Sequence, residues 1–261
     1  MKRGFLIMNT SRRIFLGAAL LVTGALGNVA VLAQEAAASD APLVISMSGD
    51  IMLGTTFPSV MLPRNEGRDV LRDAGPHIRA ADLAVGNLEG AVIDGGTSAK
   101  GSGKNTYSFR MPTSYGPRLK EAGYDFLSMA NNHARDFGEE GIVSTERVLD
   151  KEGIKYAGVQ GRTESVVLEK GGVRYGIAAF GHNSYTVKHT DMEKARAIVR
   201  DLRAKSDIVI ISMHGGAEGR DKRHLPHGAE TFLGENRGNL RAFAHMCIDN
   251  GADVVYGHGP H

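Results

Sequence analysis

LVISMSGD, the stretch at residues 43–50, is an apolar run that ends in a glycine and an acidic residue. A short apolar run bounded by Gly and Asp is typical of a buried β-strand. Such a strand presents its last polar side chain at its carboxyl end. The stretch therefore predicts a strand that carries Asp50 to the edge of a sheet.

The same order, an apolar run followed by polar residues, recurs four times along the chain. Ligands of open α/β sheets bind in the crevice outside the carboxyl ends of the strands. We therefore expect the polar side chains of all five segments to meet in one crevice. The four further runs, each with the residues that follow it, are 82–85 with 86–90, 124–129 with 130–133, 208–213 with 214–216, and 253–256 with 257–261.

Helical patterns separate these strands. Residues 113–122 stop at Gly123 and residues 139–152 stop at Gly153, and glycine readily ends a helix in the left-handed conformation. Thr190 with Glu193 forms a capping-box pattern that opens a helix reaching about residue 204. A last apolar stripe at helical spacing consists of Leu240, Phe243, Ala244, Cys247 and Ile248.

Residues 166–180 break this alternation, because two strand-like runs are separated only by Glu169-Lys170-Gly171-Gly172. This spacing predicts a β-hairpin, so the sheets are not purely parallel. Strands that alternate with helices, together with one hairpin, indicate the α/β class and a two-sheet sandwich. Residues 94–106 and 218–238 lack periodicity and are expected to be surface loops, the second of which can cover a site.

The first 33 residues are predicted to be an export signal and not part of the fold. Residues 11–17, SRRIFLG, match the twin-arginine pattern, and a mostly apolar stretch follows at 18–33. Cleavage before Gln34 and retention as an uncleaved anchor are both compatible with this segment. Residues 34–41 are interpreted as a linker and 42–261 as the folded domain, placed at the periplasmic or extracellular face of the cell envelope.

The composition excludes some classes of partner. The chain is 42% hydrophobic and 23% charged, as globular proteins are. It carries 31 basic and 29 acidic residues, and four of the basic ones fall in the first 33 residues. The remainder is therefore close to neutral, which gives no reason to expect nucleic acid as a partner. Cys247 is the only cysteine, so an intramolecular disulfide is excluded.

The residues at the predicted strand ends are of the types that bind metal ions. Two divalent ions need roughly eight to twelve donor atoms, including a bridging carboxylate. The carboxylates, amides and imidazoles available here are numerous enough. We therefore predict one or two divalent ions, Mn, Mg, Fe or Zn, in the crevice. The side chains brought to this edge are Asp50, Glu89, Asn132, His133, His214 and either His258 or His261.

Five motifs lie at these positions: GDIMLG at 49–54, NLE at 87–89, ANNHARDFG at 130–138, HGGAEG at 214–219 and GHGPH at 257–261. In this order they resemble the motifs of CapA-type proteins of poly-γ-glutamate capsule synthesis, which are related to the calcineurin-like metallophosphatases. The resemblance covers residues 43–261 and implies an α/β/β/α sandwich. Since proteins of this type continue with further strands, it also implies a fold that is truncated at its C-terminus.

The resemblance assigns roles around a first metal ion. Asp50 corresponds to a ligand of this ion, and Glu89 stands where a carboxylate bridges both ions. His261 corresponds to the last member of the terminal histidine pair, with His258 as its partner.

Further roles follow from the resemblance at the second ion. Asn132 and His214 correspond to its ligands. His133 matches the histidine that does not bind metal but protonates a leaving group, and Asp136 is placed to orient it.

Three positions depart from the metallophosphatase pattern. Met52 stands where Asp-x-His has its histidine, Glu89 is longer than the usual Asp, and Gly259 interrupts His-x-His. Because methionine is a soft and weak donor, the first metal position is expected to fill less tightly than the second.

Less specific interpretations apply to the same residues. Asp50 can be a turn residue, His214 a hydrogen-bonded core histidine, and Asn131 a helix N-cap. Surface or packing positions are expected for the other histidines, which are His77, His189, His224, His227, His245 and His182, the last of which also follows a strand.

Three functions are compatible with these residues. The first is a metal-dependent hydrolase that acts on an anionic polymer during poly-γ-glutamate synthesis, with a capsule-synthesis membrane complex as partner. The second is a phosphoesterase with a small extracellular phosphoester substrate. The third is a non-catalytic component that holds an anionic polymer through metal or through Arg110, Arg135 and Arg220.

Overall fold

The structure is a computed structural model that describes residues 42–101, 106–222 and 224–260. The predicted export signal at 1–33 and the linker at 34–41 lie outside the described residues, as does His261. The folded unit that carries the features below is Val44–His261. Within the described ranges, no helix has both the length and the apolar character needed to cross a bilayer.

Strands and helices alternate along this unit. Within the described residues the strands are β1 (Ile45–Ile51), β2 (Leu83–Leu88), β3 (Ala91–Val92), β4 (Arg110–Met111), β5 (Phe126–Ser128), β6 (Lys155–Ala157), β7 (Ser165–Lys170), β8 (Val173–Phe180), β9 (Ile208–His214), β10 (Glu230–Phe232), β11 (Glu235–Gly238) and β12 (Val254–His258). The helices are α1 (Gly75–Arg79), α2 (Gly116–Ala122), α3 (Gly138–Glu152), α4 (Met192–Lys205) and α5 (Leu240–Asp249).

Two four-stranded sheets form the centre of the unit. The first has the order β1-β2-β5-β6, and all of its pairs are parallel. The second has the order β12-β9-β8-β7, in which β8, β9 and β12 are parallel. Strands β7 and β8 form the antiparallel hairpin that the sequence predicts. Two smaller pairs, β3 with β4 and β10 with β11, complete the strands.

Three apolar clusters establish the order of the layers. Side chains of both sheets, such as Phe126 and Tyr175, share one cluster between the sheets. A second cluster packs Leu149 of α3 against the first sheet, and a third packs Val199 and Phe243 of α4 and α5 against the second sheet. Burying a large apolar side chain of this kind contributes about 1.5–3 kcal/mol. The predicted α/β/β/α two-sheet sandwich is therefore confirmed.

The helix ends agree with the sequence at α2 and differ at α4. Helix α2 ends at Gly123, whose φ of 106° is the predicted left-handed cap. The predicted cap at Thr190 is wrong, because the N-cap of α4 is Asp191, whose carboxylate accepts the backbone N–H of Lys194 at 3.1 Å. A carboxylate caps at this spacing and also interacts favourably with the positive end of the helix dipole.

The predicted apolar stripe of α5 is narrower than expected. Leu240, Phe243 and Cys247 are buried, whereas Ile248 is 48% exposed. The three buried residues are spaced three and four apart and so already form the stripe that faces the sheet.

Strand β1 contains an irregularity next to its acidic residue. Its pairing with β2 shifts register between Met47 and Asp50, after which Asp50 lies opposite Asn87. Such irregularities redirect side chains at the edge of a sheet. Asp50 therefore lies within the strand and not after its end, at the level of the polar residue of β2.

Candidate metal centre

Four side chains from four strand ends meet at one edge of the sandwich. Nδ1 of His258 lies 3.1 Å from Oδ1 of Asp50, and Nδ1 of His214 lies 3.6 Å from the same oxygen. Nδ1 of His214 is also 3.7 Å from Oε2 of Glu89. The structure thus brings four of the six candidate ligands within reach of one another.

The two histidines stand side by side because of strand register. In the parallel pair β9 and β12, His214 lies opposite His258, and their Nδ1 atoms are 3.1 Å apart. Both rings are buried. The second nitrogen of His258 is 2.9 Å from the hydroxyl of Ser212, a contact that fixes the orientation of the ring.

Position 259 requires glycine because its backbone lies close to the ring of His214. Its φ of 110° lies in the left-handed region, and a Cβ at this position would lie 3.0 Å from the His214 ring. Only glycine adopts such a conformation without strain and leaves this space free. The interruption of the His-x-His pattern therefore has a packing cause.

Two buried asparagines connect the carboxylates. Nδ2 of Asn87 donates to Oδ1 of Asp50 at 2.8 Å and to Oε2 of Glu89 at 2.9 Å. Nδ2 of Asn131 donates in turn to Oδ1 of Asn87 at 3.0 Å. Like charges held close together repel each other, and the shared amide donor offsets part of this repulsion.

The prediction that Asn131 caps a helix is wrong. Helix α3 begins only at Gly138, and Oδ1 of Asn131 accepts the backbone N–H of His133 at 3.0 Å. This local hydrogen bond closes a turn that presents His133 to the centre. No role for Asn87 was predicted from the sequence, although this residue lies near the end of a buried strand, two residues before Glu89.

His133 and Asp136 form a hydrogen-bonded pair beside the candidate ligands. Nδ1 of His133 is 2.8 Å from Oδ2 of Asp136, and Nε2 is 3.9 Å from Oε1 of Glu89. The ring of Phe109 lies against His133 with a centroid distance of 4.2 Å. Because an ionised carboxylate only accepts hydrogen bonds, Nδ1 carries the proton and Nε2 faces the centre.

Lys100 contacts both members of this pair, although no sequence pattern marks it. Its Nζ lies 2.7 Å from Oδ1 of Asp136 and 3.0 Å from Nδ1 of His133. The backbone N–H of Phe109 donates to Oδ2 of the same carboxylate at 2.7 Å. A lysine in a loop rich in Gly, Ser and Lys belongs to no periodic pattern. Its role is therefore visible only from its contacts in the folded protein.

Two further buried histidines lie beside His214. The ring of His182 stacks on that of His214 with centroids 6.3 Å apart, and it is 6.4 Å from the ring of His189. Burial lowers the pKa of His182 to about 4 and that of His189 to about 3. Burial also lowers the pKa of His258, against the opposing effect of its hydrogen bond with Asp50. Neutral imidazole is the form that binds metal.

The donor set fits a divalent cation. Ligand atoms of Asp50, His214 and His258 all lie within 4.8 Å of one another. Nε2 of His214 and Oδ1 of Asn132 are buried and have no hydrogen-bond partner among the described residues. Buried polar atoms normally have a partner, and imidazole, amide and carboxylate groups are ligands for divalent ions. The residues present are therefore compatible with a metal site.

Three further positions bear on the predicted ligand set, and one of them lies outside the described residues. Asn132 is half-buried in the turn before His133, and His261 lies outside the described residues. The roles of both as ligands remain predictions. Met52 is 39% exposed, and its sulfur accepts the backbone N–H of Gly54 at 3.2 Å. It is therefore engaged within its own loop.

The three arginines predicted to hold an anionic polymer have different surroundings. The guanidinium of Arg110 lies over the rings of Phe57 and Phe137 at 5.6 and 5.2 Å and donates to backbone carbonyls. Arg135 lies over a tyrosine ring at 6.0 Å, and Arg220 begins a short 3-10 helix. Arg110 is therefore engaged in holding loops together.

Comparison with known proteins identifies related chains. The family model described as bacterial capsule synthesis protein PGA_cap matches residues 44–261. The chain is 25% identical over 239 residues to the capsule biosynthesis protein CapA of Bacillus anthracis, a match that covers 84% of this chain and 54% of the relative. It is 26% identical over 241 residues to the PGA biosynthesis protein CapA of Bacillus subtilis (strain 168), covering 85% and 58%.

The chain thus spans about half the length of the curated relatives it matches. Among solved structures, a hypothetical protein from Thermus thermophilus matches with a TM-score of 0.49 and 21% identity, covering 84% of this chain and 68% of that one.

Proposed function

Because the chain belongs to the PGA_cap family of bacterial capsule synthesis proteins, we propose that it is a metal-dependent hydrolase that acts on poly-γ-glutamate. The observation that carries the proposal is the position of the His133–Asp136 pair beside the converging Asp50, His214 and His258. Metal ligands next to a proton-transfer pair suit hydrolysis without a Ser or Cys nucleophile. The names of the relatives support the choice of polymer.

Each part of the centre has a task in this proposal. A divalent ion would polarise the scissile amide or ester and lower the pKa of water to about 7. His133 delivers a proton to the leaving group from Nε2, while Asp136 holds Nδ1–H and thereby the ring orientation. Asn87 keeps the two carboxylates in place. The residues that would hold metal are Asp50, Glu89, Asn132, His214, His258 and His261.

The proposal includes the cellular setting. The twin-arginine pattern at 11–17 supports export to the periplasmic or extracellular face of the cell envelope. There the protein meets an anionic polymer, and a capsule-synthesis membrane complex is its proposed partner. Nucleic acid is not among the proposed partners, since the chain outside the first 33 residues is close to neutral.

The test combines metal analysis with a hydrolysis assay on the same preparations. We expect one to two ions per chain after dialysis, measured by inductively coupled plasma mass spectrometry. The variant His214→Ala should lose tight metal binding, whereas His133→Ala should keep the metal and lose hydrolysis of poly-γ-glutamate. His245→Ala, on the exposed side of α5, is the matched control and should behave as the parent protein does.

Two outcomes would contradict the assignment. If His133→Ala loses the metal while His214→Ala retains it, the roles of these two histidines are wrong. If no variant alters metal content, the cluster is not a metal site. A phosphate ester such as p-nitrophenyl phosphate serves as the comparison substrate, and its preferential cleavage would favour a phosphoesterase.

A second candidate function is a component that holds the polymer without cleaving it. The setting of Met52 favours it, because the sulfur is engaged with the backbone of its own loop and the first ion has one ligand fewer than the metallophosphatase pattern provides. Tight binding of metal and polymer with no turnover of either substrate would select this function.

A further inference from the structure

A polar cavity of about 440 Å³ lies next to the metal centre. This volume is within the usual range for sites that bind small ligands. Its wall comes from the segment after β8 and from the β10–β11 hairpin, and it includes His182, Asn183, Tyr185, Lys188, Glu235 and Asn236.

Two contacts join this cavity to the centre. The ring of His182 stacks on that of His214 at a centroid distance of 6.3 Å. The hydroxyl of Tyr185 donates to the backbone carbonyl of Asn131 at 3.0 Å, and Asn131 is hydrogen-bonded to the asparagine that links the carboxylates. A ligand in the cavity is therefore a direct neighbour of the metal centre.

The charges of the wall leave one cation available to a ligand. The carboxylate of Glu235 lies 2.9 Å from the guanidinium of Arg237, which also lies 3.1 Å from Glu218. The side chain of Arg237 is 3% exposed and is paired with these two carboxylates. Its charge is therefore not available to a ligand in the cavity. Lys188 is half-buried, and its ammonium group has no ion pair or side-chain hydrogen bond with another described residue.

The uncharged groups of the wall suit an amide. Oδ1 of Asn183 is buried and has no hydrogen-bond partner among the described residues. This oxygen only accepts hydrogen bonds, so it calls for an N–H donor from a ligand. The side chain of His182 is 2% exposed, and its Nε2 lies 3.3 Å from a carboxylate oxygen of Glu235. This ring therefore faces the carboxylate of the wall, and Asn183 is the group available to the amide of a ligand.

We propose that this cavity is a substrate subsite that binds a carboxylate adjacent to a peptide-type amide, such as a unit of a glutamyl chain, in preference to a phosphate ester. Lys188 pairs with the carboxylate, and Asn183 accepts the amide N–H. Phosphate sites generally use several cations or a helix N-terminus, whereas this wall offers one cation and contains the carboxylate of Glu235. The inference rests on the proposed function, because it names the ligand that the adjacent centre acts on.

The test measures binding to the full chain after metal removal with EDTA. Isothermal titration calorimetry with tri-γ-L-glutamate should give an affinity at least about tenfold higher than that for inorganic phosphate. Lys188→Gln should weaken binding of the oligomer by about tenfold, since a charge-assisted hydrogen bond is lost. The control Lys205→Gln changes a lysine paired with Asp201 on α4 at 2.7 Å, and it should leave the affinity unchanged.

A second measurement on the unaltered chain does not depend on whether a variant folds. On addition of tri-γ-L-glutamate, backbone amide NMR signals of residues 182–190 and 235–236 should shift more than those of α4. Equal affinities for oligomer and phosphate, equal effects of the two lysine variants, or shifts confined to other regions would overturn the subsite.

This experiment separates the two proposals. If the metal-free chain binds the oligomer through Lys188 but the metal-loaded chain hydrolyses nothing, the subsite stands and the hydrolase proposal fails. If the loaded chain hydrolyses a phosphate ester but the metal-free chain does not bind the oligomer, the hydrolase stands and the subsite fails.

Discussion

The ammonium group of Lys100 lies 2.7 Å from Oδ1 of Asp136, a carboxylate that is fully buried. The other oxygen of this carboxylate faces Nδ1 of His133 at 2.8 Å and accepts the backbone N–H of Phe109 at 2.7 Å. One ammonium group and two N–H groups, from three different segments, therefore surround one carboxylate. Lys100 therefore helps to hold Asp136 in place, and Asp136 in turn orients His133.

Loss of this lysine should destabilise the protein through Asp136. Lys100→Met leaves a buried carboxylate without its cationic partner, and the free energy of unfolding should fall by about 1–3 kcal/mol. Urea denaturation measures this change. A double-mutant cycle with Asp136→Asn should give a coupling of at least about 0.5 kcal/mol, whereas a cycle with Asp201→Asn on α4 should be additive. Additive behaviour in both cycles would refute the contact.

A methyl group at Gly259 should disturb the metal centre. In Gly259→Ala the new Cβ lies about 3.0 Å from the His214 ring at a φ of 110°. We expect a loss of about 1–3 kcal/mol in stability and weaker metal binding, measured by competition with a chelating dye. Gly228→Ala is the matched control, since a Cβ there meets nothing within 4 Å. Equal metal affinities for the two variants would argue against a steric role of Gly259.

His189 should make the protein sensitive to acid. Burial lowers its pKa in the folded state to about 3, whereas the unfolded value is about 6.5. Below pH 6.5 the unfolded chain binds a proton that the folded chain excludes, so stability falls as the pH falls from about 6.5 to 3. The loss amounts to up to about 1.4 kcal/mol per pH unit.

The variant His189→Leu tests this dependence on metal-free protein. It removes the titrating group from a buried position beside Phe243, whose ring centroid is 5.9 Å away. Urea denaturation at pH 7.5, 5.5 and 4.5 should show a shallower fall in stability than in the parent protein. The exposed-site variant His245→Leu should show the same dependence of stability on pH as the parent protein. If His189→Leu also leaves this dependence unchanged, His189 does not titrate between pH 7.5 and 4.5.

Export should depend on the paired arginines at the start of the chain. Replacement of Arg12 and Arg13 by lysine keeps the charge but breaks the twin-arginine pattern. The precursor should then accumulate inside the cell, as followed by fractionation and immunoblotting. The control exchanges Lys2 for arginine and Arg3 for lysine, and it should leave export intact. If the chain with lysine at positions 12 and 13 is still exported normally, another export route is in use.

Local patterns in the sequence were sufficient for the framework of the fold. The apolar runs before Asp50, His214 and His258 predict strands, and these strands are present with the expected ends or within a residue or two of them. The hairpin at 166–180 and the cap at Gly123 follow from turn chemistry. The prediction for Thr190 failed because two capping residues are adjacent there, and the spacing alone does not decide between them.

Contacts between distant segments could not be predicted in this way. Asparagine is common in turns and helix caps, so neither Asn87 nor Asn131 is distinctive in the sequence. In the folded chain they form the hydrogen-bond network that links the two carboxylates. Lys100 reaches Asp136 from a loop without periodicity, and the cavity beside His182 is closed by residues of the later β10–β11 hairpin. Sequence spacing reports which residues share one element, but it carries no information on how two elements pack.

The sequence by itself determined the α/β class, the hairpin and the set of polar residues at the carboxyl ends of the strands, because these depend on periodicity within one segment. The tertiary structure decided which of those residues meet. The register of β9 against β12 sets His214 beside His258, and the register shift in β1 brings Asp50 level with Asn87. Register and layer packing depend on burying apolar area across the whole domain, which is a property of the folded chain and not of any single stretch.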